Sequence, residues 1–234
     1  MPRRHGLVIT PVYCQIGADA IDHEGSAVLI GVNTRWLFTA GHVVANHDRL
    51  FLPGRPQVHI RRERFGLSPL SLDLAYVELS PKETETLLAC GLKFLPLEDL
   101  IASTELFPPD RNGCVITGFP AHSVEIDGHE RTIRVKPTLV TSQFLTPDEL
   151  VHAHLDARIQ IAARFGGLAE GKSKLKKFDP RGLSGGAIWK TSGGEAKLVG
   201  LVTDYDPKLK IIIGTRVRPM LEEIARHLCE TRDE

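Results

Sequence analysis

The sequence is poor in cysteine, and its cysteines lack the spacing of a metal or disulfide framework. Only four occur among 234 residues, at Cys14, Cys90, Cys114 and Cys229. None of them forms a Cys-x-x-Cys pair, so the pattern predicts neither a zinc site nor a dense set of disulfides. Reduced thiols with a structural role are the simpler interpretation.

The chain also lacks an excess of either charge and any long apolar run. Its 29 Lys and Arg balance its 29 Asp and Glu, so it has no net basic charge of the kind that nucleic-acid or membrane-surface binding usually shows. No run approaches the roughly 18 apolar residues of a membrane span, and the apolar patch at residues 6–10 is too short for a signal-peptide core. We therefore expect a cytoplasmic protein without a nucleic-acid or membrane partner.

What the chain does contain is a series of short runs rich in Val, Ile and Leu. Gly, Asn, Asp and Pro separate these runs, which is typical of an all-β barrel or sandwich. In the first half, strands are predicted at residues 7–12, 26–31, 36–38, 58–61 and 74–79. In the second half, they are predicted at residues 114–118, 132–135, 139–145, 157–163, 186–190, 197–203 and 210–217.

Helix signals are few and local. Ser80-Pro81-Lys82-Glu83 and Thr146-Pro147-Asp148-Glu149 are capping boxes that open helices ending near Gly91 and His154. Residues 219–229 carry apolar side chains at helical spacing and predict a carboxy-terminal helix on the second unit. The predicted organisation is a first β-barrel with its trailing helix (1–91), a connector (92–112), a second β-barrel (113–217), and a helix and tail (218–234).

Three motifs point to chemistry, and they occur in the order His, Asp, Ser. Residues 39–43 (Thr-Ala-Gly-His-Val) contain His42, residues 72–75 (Leu-Asp-Leu-Ala) contain Asp73, and residues 182–186 (Gly-Leu-Ser-Gly-Gly) contain Ser184. A serine hydroxyl is a poor nucleophile unless an imidazole takes its proton. That imidazole in turn needs a carboxylate to fix its tautomer and to stabilise the imidazolium.

The glycine two positions before the serine has a role of its own. It allows the backbone amides of Gly182 and Ser184 to point at one spot, where they can bind a developing oxyanion. Each such donor stabilises a transition state by about 3 to 4 kcal/mol.

These motifs resemble those of the trypsin-like (chymotrypsin-fold) serine peptidases over about residues 20–217. Residues 25–30 (Gly-Ser-Ala-Val-Leu-Ile), 118–120 (Gly-Phe-Pro) and 198–203 (Leu-Val-Gly-Leu-Val-Thr) extend the resemblance beyond the three motifs. The resemblance implies two six-stranded antiparallel β-barrels with the active site between them, and no cofactor or metal.

Carried over to this chain, the family implies a role for each matching residue. His42 is the general base and then the general acid, Asp73 orients it, Ser184 is the nucleophile, and Gly182 and Ser184 supply the oxyanion amides. Thr203 falls where the family places a serine whose hydroxyl contacts the catalytic aspartate. In the specificity pocket, Tyr205 and Ile212 are expected as walls and Phe178 near the floor.

The chain departs from the digestive members of the family in two ways. Leu183 stands where those members have the aspartate that receives a new amino terminus, so activation by such an insertion is not expected. Their disulfides are missing as well, since no cysteine comes directly after His42 and none flanks Ser184. The sequence therefore looks more like the bacterial intracellular or stress-related branch.

Several alternatives remain open beside this interpretation. Gly-x-Ser-x-Gly also marks the nucleophile elbow of α/β-hydrolases, but the alternating strands and helices of that fold are missing upstream. The pair His152 and His154 is a weak metal signal, because positions two apart on a helix point to different sides. A basic run ends in the Ser184 loop and predicts either a solvated loop or a receptor for an acidic substrate or regulatory protein; it comprises Lys172, Lys174, Lys176, Lys177 and Arg181.

The prediction is a serine endopeptidase that forms an acyl-enzyme on Ser184 and acts on a protein or peptide substrate. The alternative from another class is a catalytically silent barrel that binds a peptide or partner in the same cleft. No carboxylate is expected at the pocket floor unless Asp179 replaces Phe178 there, so a small or medium apolar substrate side chain is the predicted preference.

Overall fold

A computed structural model describes residues 8–16, 20–54, 56–101, 113–127, 132–165 and 179–230 of the chain. Phe178 and the lysines of the basic run lie outside these described residues, and so do the predictions made for them. No helix within the described part is long and apolar enough to cross a membrane.

The first half folds into one curled sheet. Its strands are β1 (Ile9–Ile16), β2 (Ala20–Val32), β3 (Thr34–Ala40), β4 (Arg49–Leu52), β5 (Val58–Arg61), β6 (Gly66–Leu67), β7 (Leu74–Glu78) and β8 (Leu95–Pro96). They are ordered β5-β4-β1-β2-β3-β7-β6, and β8 pairs in parallel with β2. Six of these strands have four residues or more, which is the number that the resemblance implied, whereas the sequence pattern predicted five and did not include β4; the two-residue strands β6 and β8 are additional.

The second half forms a six-stranded sheet and a separate hairpin. Its strands are β9 (Gly113–Gly118), β10 (Val124–Asp127), β11 (Thr132–Val135), β12 (Thr138–Gln143), β13 (Gln160–Arg164), β14 (Ala187–Ser192), β15 (Glu195–Asp206) and β16 (Ile211–Arg216). The sheet order is β12-β9-β14-β15-β16-β13, and β10 and β11 form a separate two-stranded sheet. A bridge between Phe144 and Ala163 joins the two edges of the sheet and closes it.

Four α-helices accompany the strands in the described part of the chain: α1 (Gly41–Ala45), α2 (Pro81–Ala89), α3 (Pro147–His152) and α4 (Val217–Glu230). Short 3-10 helices occupy Arg62–Arg64, Leu97–Asp99 and Ala121–Ser123. Both predicted capping boxes are present: Ser80 accepts from the Glu83 amide, and Thr146 accepts from the Glu149 amide. These caps satisfy amides that have no partner inside the helix, which is why both helices begin where the sequence predicts.

The carboxy-terminal helix packs against both sheets, whereas the sequence predicted packing on the second sheet alone. Met220 and Ile224 belong to the same buried cluster as Trp36 of β3 and Trp189 of β14. The His227 ring also lies edge-on to the Trp36 indole, with 5.3 Å between ring centroids. The amphipathic pattern identified the helix but not its partners, because an apolar stripe does not specify which surface covers it.

The segment between the two sheets contributes to both of them. Leu95 in β8 pairs with Ile30 of β2, and the Ile101 amide donates to the Leu198 carbonyl of β15 at 2.8 Å. The predicted boundaries at 91, 112 and 217 stay predictions. The observed double-barrel architecture nevertheless leaves a seam between the two sheets, where all three chemical motifs lie.

Candidate active site

His42 and Asp73 are brought together by the pairing of β3 with β7. Ala40 and Leu74 are partners in that ladder, so the residues just beyond them, Gly41 and Asp73, face each other. The Gly41 amide donates to the Asp73 carbonyl at 2.9 Å, and the His42 amide donates to Asp73 Oδ1 at 2.9 Å. Backbone geometry thereby fixes the carboxylate before the imidazole contacts it.

The imidazole and the carboxylate form a short hydrogen bond. His42 Nδ1 lies 2.7 Å from Asp73 Oδ2. This bond raises the pKa of His42, burial opposes the rise, and the negative charges of Asp73, Asp204 and Glu24 add to it. An Nδ1 that donates to Asp73 leaves Nε2 of the neutral ring as the proton acceptor, which is the tautomer that a general base requires.

Asp73 has a backbone conformation that few residues adopt. Its φ is +46°, in the left-handed region where Asp and Asn are enriched among non-glycine residues. The preceding residue is held from the other sheet, because the Thr215 hydroxyl of β16 donates to the Leu72 carbonyl. The carboxylate is therefore positioned by contacts from both halves of the molecule.

The Ser184 loop is a tight turn built on two glycines in left-handed conformations. Gly182 has a φ of +86° and Gly185 a φ of +80°. A β-carbon on Gly185 would overlap the Ser26 carbonyl oxygen and the Thr39 hydroxyl, so only glycine fits there. The Gly186 amide donates to the Leu183 carbonyl at 2.7 Å, and the Gly185 amide donates to the Val202 carbonyl of β15 at 2.7 Å.

Leu183 is buried in the core of the second sheet, with 1% of its surface exposed. It packs against Gly118, where a β-carbon would lie 2.9 Å from Leu183 Cδ2. An apolar side chain therefore anchors the loop at the position where the digestive peptidases of the resemblance carry an aspartate. This anchor offers no carboxylate to an inserted amino terminus.

Ser184 lies against the first sheet, close to the helix that carries His42. The Ser26 amide of β2 donates to the Ser184 carbonyl at 2.7 Å. A β-carbon built on Gly25 would lie 2.8 Å from that carbonyl oxygen and 2.9 Å from Val43 Cγ2. The backbone of Ser184 and the residue that follows His42 therefore border the same point, and Ser184 is half-buried.

The hydrogen bonds found among the described residues do not include one between the Ser184 hydroxyl and His42. Such catalytic bonds are commonly long without substrate and tighten in the complex. The structure thus joins His42 to Asp73 directly and brings Ser184 beside them through its backbone.

The backbone amides of Gly182 and Ser184 are the two predicted oxyanion donors. In the part of the chain that the structure describes, neither the Gly182 amide nor the Ser184 amide donates to another residue. The Gly182 carbonyl accepts from the Ser26 hydroxyl at 2.9 Å, and that hydroxyl accepts from the Phe119 amide at 2.9 Å. Ser26 therefore turns the carbonyl of Gly182 toward β2, and it is a positioning residue that the sequence motifs did not identify.

The residues predicted to line a specificity pocket have different surroundings from those expected. The Thr203 hydroxyl donates to the Ile213 carbonyl at 3.5 Å, rather than making the expected contact with Asp73. Thr203 lies at a register shift between β15 and β16, and the residue that reaches the Asp73 segment is Thr215. The alignment of motifs could not show this, because a bulge changes which side chains face the site.

Tyr205 and Ile212 are direct partners across β15 and β16. Ile212 is completely buried in an apolar cluster that includes Leu183 and Phe165, and the Tyr205 ring packs edge-on to Phe165 at 5.2 Å. Ile212 is thus covered by the protein itself. Asp179, the alternative floor residue, is paired with Arg181, whose Nε lies 2.7 Å from Asp179 Oδ2.

Comparisons with known proteins bear on the fold. No protein-family model matches the chain, and no curated protein sequence matches it significantly. Among solved structures, the chain is similar to the HtrA-type protease AlgW determined with a decapeptide, with a TM-score of 0.54 and 16% sequence identity. The match covers 95% of this chain and 64% of that one, so this chain spans only part of that protein's length.

The architecture is that of the chymotrypsin-like double β-barrel, which confirms the predicted fold class. At 16% identity the similarity to the HtrA-type protease extends to the fold alone. The chemistry therefore depends on what this chain's own residues can do.

Proposed function

We propose that the protein is a trypsin-like serine endopeptidase. The observation that supports this most strongly is the 2.7 Å bond between His42 Nδ1 and Asp73 Oδ2, on a fold whose other half presents Ser184 beside the same helix. A histidine with a purely structural role would not need an aspartate whose main-chain carbonyl and carboxylate each accept a backbone amide, from Gly41 and His42. This arrangement instead supports a general base whose ring orientation is fixed in advance.

The proposed reaction is acyl transfer in two steps. His42 Nε2 takes the proton of the Ser184 hydroxyl as Oγ attacks the peptide carbonyl carbon, and it then gives that proton to the leaving amine as the C–N bond breaks. Water attacks the resulting ester in the same manner, with His42 again as base and Ser184 as the leaving group. Asp73 stays ionised and stabilises the imidazolium.

The amides of Gly182 and Ser184 are the proposed oxyanion hole. Their freedom from internal partners supports this role, because donors already bound within the protein could not stabilise a developing charge. In other serine peptidases the loss of one such donor reduces turnover by about 10²- to 10³-fold.

The proposed substrate is a protein or peptide with a small or medium apolar side chain at the cleavage site. The pairing of Asp179 with Arg181 supports a pocket without a free carboxylate at that position, and a peptide ligand is consistent with the decapeptide present in the similar HtrA-type structure. We also propose a reducing compartment such as the cytoplasm and the bacterial intracellular branch, since all four cysteines are free.

The test is covalent labelling of the full chain with a serine-directed fluorophosphonate, followed by intact mass and peptide mapping. We expect one adduct, on Ser184, and none on Ser184→Ala. Ser192→Ala provides the matched control, because Ser192 is an exposed serine at the end of β14 and its loss is expected to leave labelling unchanged.

The second candidate is a silent barrel that binds a peptide in the same cleft. The observation that favours it is the lack of a hydrogen bond between the Ser184 hydroxyl and His42 in the described part of the chain. Peptide binding without labelling or cleavage, in protein shown to be folded by circular dichroism, would favour this module over the enzyme.

A further inference from the structure

Three metal-ligating side chains of different types meet at one point of the first sheet. Cys14 comes from β1, Glu24 from β2, and His47 lies two residues after α1. Cys14 Sγ is 3.1 Å from Glu24 Oε1, and His47 Nε2 is 3.2 Å from the same oxygen. All three ligand atoms lie within 4.8 Å of one another.

The two separations from Glu24 Oε1 are close to those of a tetrahedral zinc site. With bonds of about 2.3 Å to sulfur and 2.0 to 2.1 Å to nitrogen or oxygen, tetrahedral ligand atoms are about 3.3 to 3.6 Å apart. A shift of a few tenths of an ångström at the end of Glu24 would bring both of its distances into that range, and His47 Nε2, which lies within 4.8 Å of Cys14 Sγ, would then have to lie about 3.6 Å from it. The Sγ of Cys14 is the least able of the three ligand atoms to move, because this side chain is completely buried.

The site is closed on one side and accessible on the other. The side chains of His47 and Glu24 are 19% and 28% exposed, so solvent reaches the cluster from their side. We propose that Cys14, Glu24 and His47 bind one zinc ion, or a divalent ion of similar softness, with water as the fourth ligand. Thiolate and imidazole select zinc over magnesium or calcium, which prefer oxygen ligands.

Metal binding at this site must release a proton. Burial and the Glu24 carboxylate raise the pKa of the Cys14 thiol to about 12, so without metal the thiol is protonated and donates to Glu24. Zinc takes the place of that proton: the S–H bond breaks, the Zn–S bond forms, and one proton passes to solvent. Affinity is therefore expected to rise with pH.

No sequence motif marks this site, because its ligands are 10 and 23 residues apart and match no ligand-spacing pattern. The register of β1 with β2 and the return of the chain through α1 bring them together. Elsewhere in the described part of the chain no second group of three such side chains is found.

The test is titration of chelator-treated protein with Co²⁺, which reports a thiolate ligand through its charge-transfer band and tetrahedral geometry through intense visible bands. The protein carries Cys90→Ser and Cys229→Ser, since these two exposed thiols would bind metal adventitiously. We expect one Co²⁺ per chain, displaced stoichiometrically by Zn²⁺. No binding, or a spectrum without the thiolate band, would overturn the proposal.

Two variants and two controls locate the site within that background. Cys14→Ser and His47→Gln are expected to weaken Zn²⁺ binding by more than the roughly 10- to 100-fold that loss of an outer partner costs. Cys114→Ser is the control for Cys14, because that thiol is also buried and its pKa is also raised to about 12. His59→Gln, an exposed histidine on β5, is the control for His47.

If Cys14→Ser fails to fold, His47→Gln decides, because the His47 side chain is partly exposed and glutamine has a similar volume. Unchanged Zn²⁺ affinity in His47→Gln would overturn the proposal. Zn²⁺ binding can also be tested independently of peptidase activity, since the Ser184→Ala protein is expected to bind Zn²⁺ as the parent does.

Discussion

The imidazole of His23 covers the α-carbon of Gly182. A β-carbon built on Gly182 would lie 2.6 Å from His23 Cε1, 2.7 Å from the Phe119 carbonyl oxygen and 2.9 Å from the Ala121 amide nitrogen. Burial lowers the pKa of His23, so a neutral ring packs against the loop. One proposed oxyanion donor is thus enclosed by both sheets.

Replacing Gly182 with alanine is expected to reduce turnover by about 10²- to 10³-fold, the scale of a lost oxyanion donor. The added methyl group would displace the amide, whereas KM depends less on it. Gly194→Ala is the matched control: Gly194 has the same φ of +86° but nothing within 4 Å of the added carbon. Steady-state kinetics on both variants checks this, and equal losses would show that backbone strain, not the oxyanion site, is responsible.

Replacing Ser26 with alanine removes a hydroxyl that joins Gly182 to Phe119. Both partners are buried, so we expect a loss of about 1 to 3 kcal/mol in the free energy of unfolding together with a fall in kcat. Ser142→Ala is the control, because its buried hydroxyl donates to the Arg164 carbonyl within the second barrel. Denaturant unfolding and steady-state kinetics are measured on both variants. If kcat fell as much in Ser142→Ala as in Ser26→Ala, Ser26 would not have a specific positioning role.

Asp73→Asn is expected to lower kcat by about 10⁴-fold, the scale for a misoriented imidazole. Asparagine tolerates the left-handed conformation of residue 73, so this change isolates the carboxylate, whereas alanine would also strain the backbone. The control is Asp156→Asn, which removes a carboxylate paired with Arg158 at the surface. If the Asp73→Asn enzyme kept the parent turnover, Asp73 would not be the residue that orients His42.

The acidic limb of the pH profile depends on charges around His42. Its pKa is raised above the ordinary histidine value of about 6.5, and only the neutral ring is a base, so kcat/KM is expected to fall as pH drops through that raised value. Asp204→Asn removes one of the negative charges responsible and is expected to move the limb to lower pH. The asparagine oxygen can still accept from the Tyr205 amide, as Asp204 Oδ1 does at 2.7 Å.

Glu195→Gln is the control for that experiment, since Glu195 lies at the far end of the same strand and is not among the groups that shift His42. Because Asp204 is exposed, the displacement is expected to shrink as ionic strength increases. A limb that moves to higher pH in Asp204→Asn would contradict the assignment.

Under the proposed function, the pocket wall predicted at Tyr205 limits the size of the substrate side chain that is accepted. We expect cleavage after Ala, Val, Leu or Thr, because an unpaired substrate cation would cost several kcal/mol in a pocket without a carboxylate. Tyr205→Ala is expected to extend cleavage to larger apolar residues. A peptide-library profile dominated by Arg or Lys would contradict this and would implicate Asp179, released from Arg181.

The sequence indicated local features better than it indicated packing. The Ser80 and Thr146 caps were readable because each depends on residues three apart, and strand β5 (Val58–Arg61) was predicted at its observed bounds. Strand β4 has one charged residue followed by three apolar residues, so its sequence lacks the alternation of polar and apolar side chains, and the strand was missed.

Long-range contacts were the least readable. Nothing near Ser26 marks it as a partner of Gly182, 156 residues away, and Cys14, Glu24 and His47 share no motif. The bulge at Thr203 likewise reverses an expectation that was based on strand alignment. Each of these contacts depends on the register between two strands. That register is fixed by which side chains are buried in the folded core, and this cannot be read from one strand alone.

The seam between the sheets has a consequence for synthesis of the protein. A nascent chain that has emerged only as far as β8 holds His42 and Asp73 but no Ser184, and the bonds that shape the Ser184 loop come from Ser26 and Val202, one in each half. Assembly of the site therefore requires both halves of the chain and is not a property of either half. Under the proposed function, an unfinished chain cannot cut its neighbours on the ribosome, and the order of residues along the chain itself delays the onset of proteolysis.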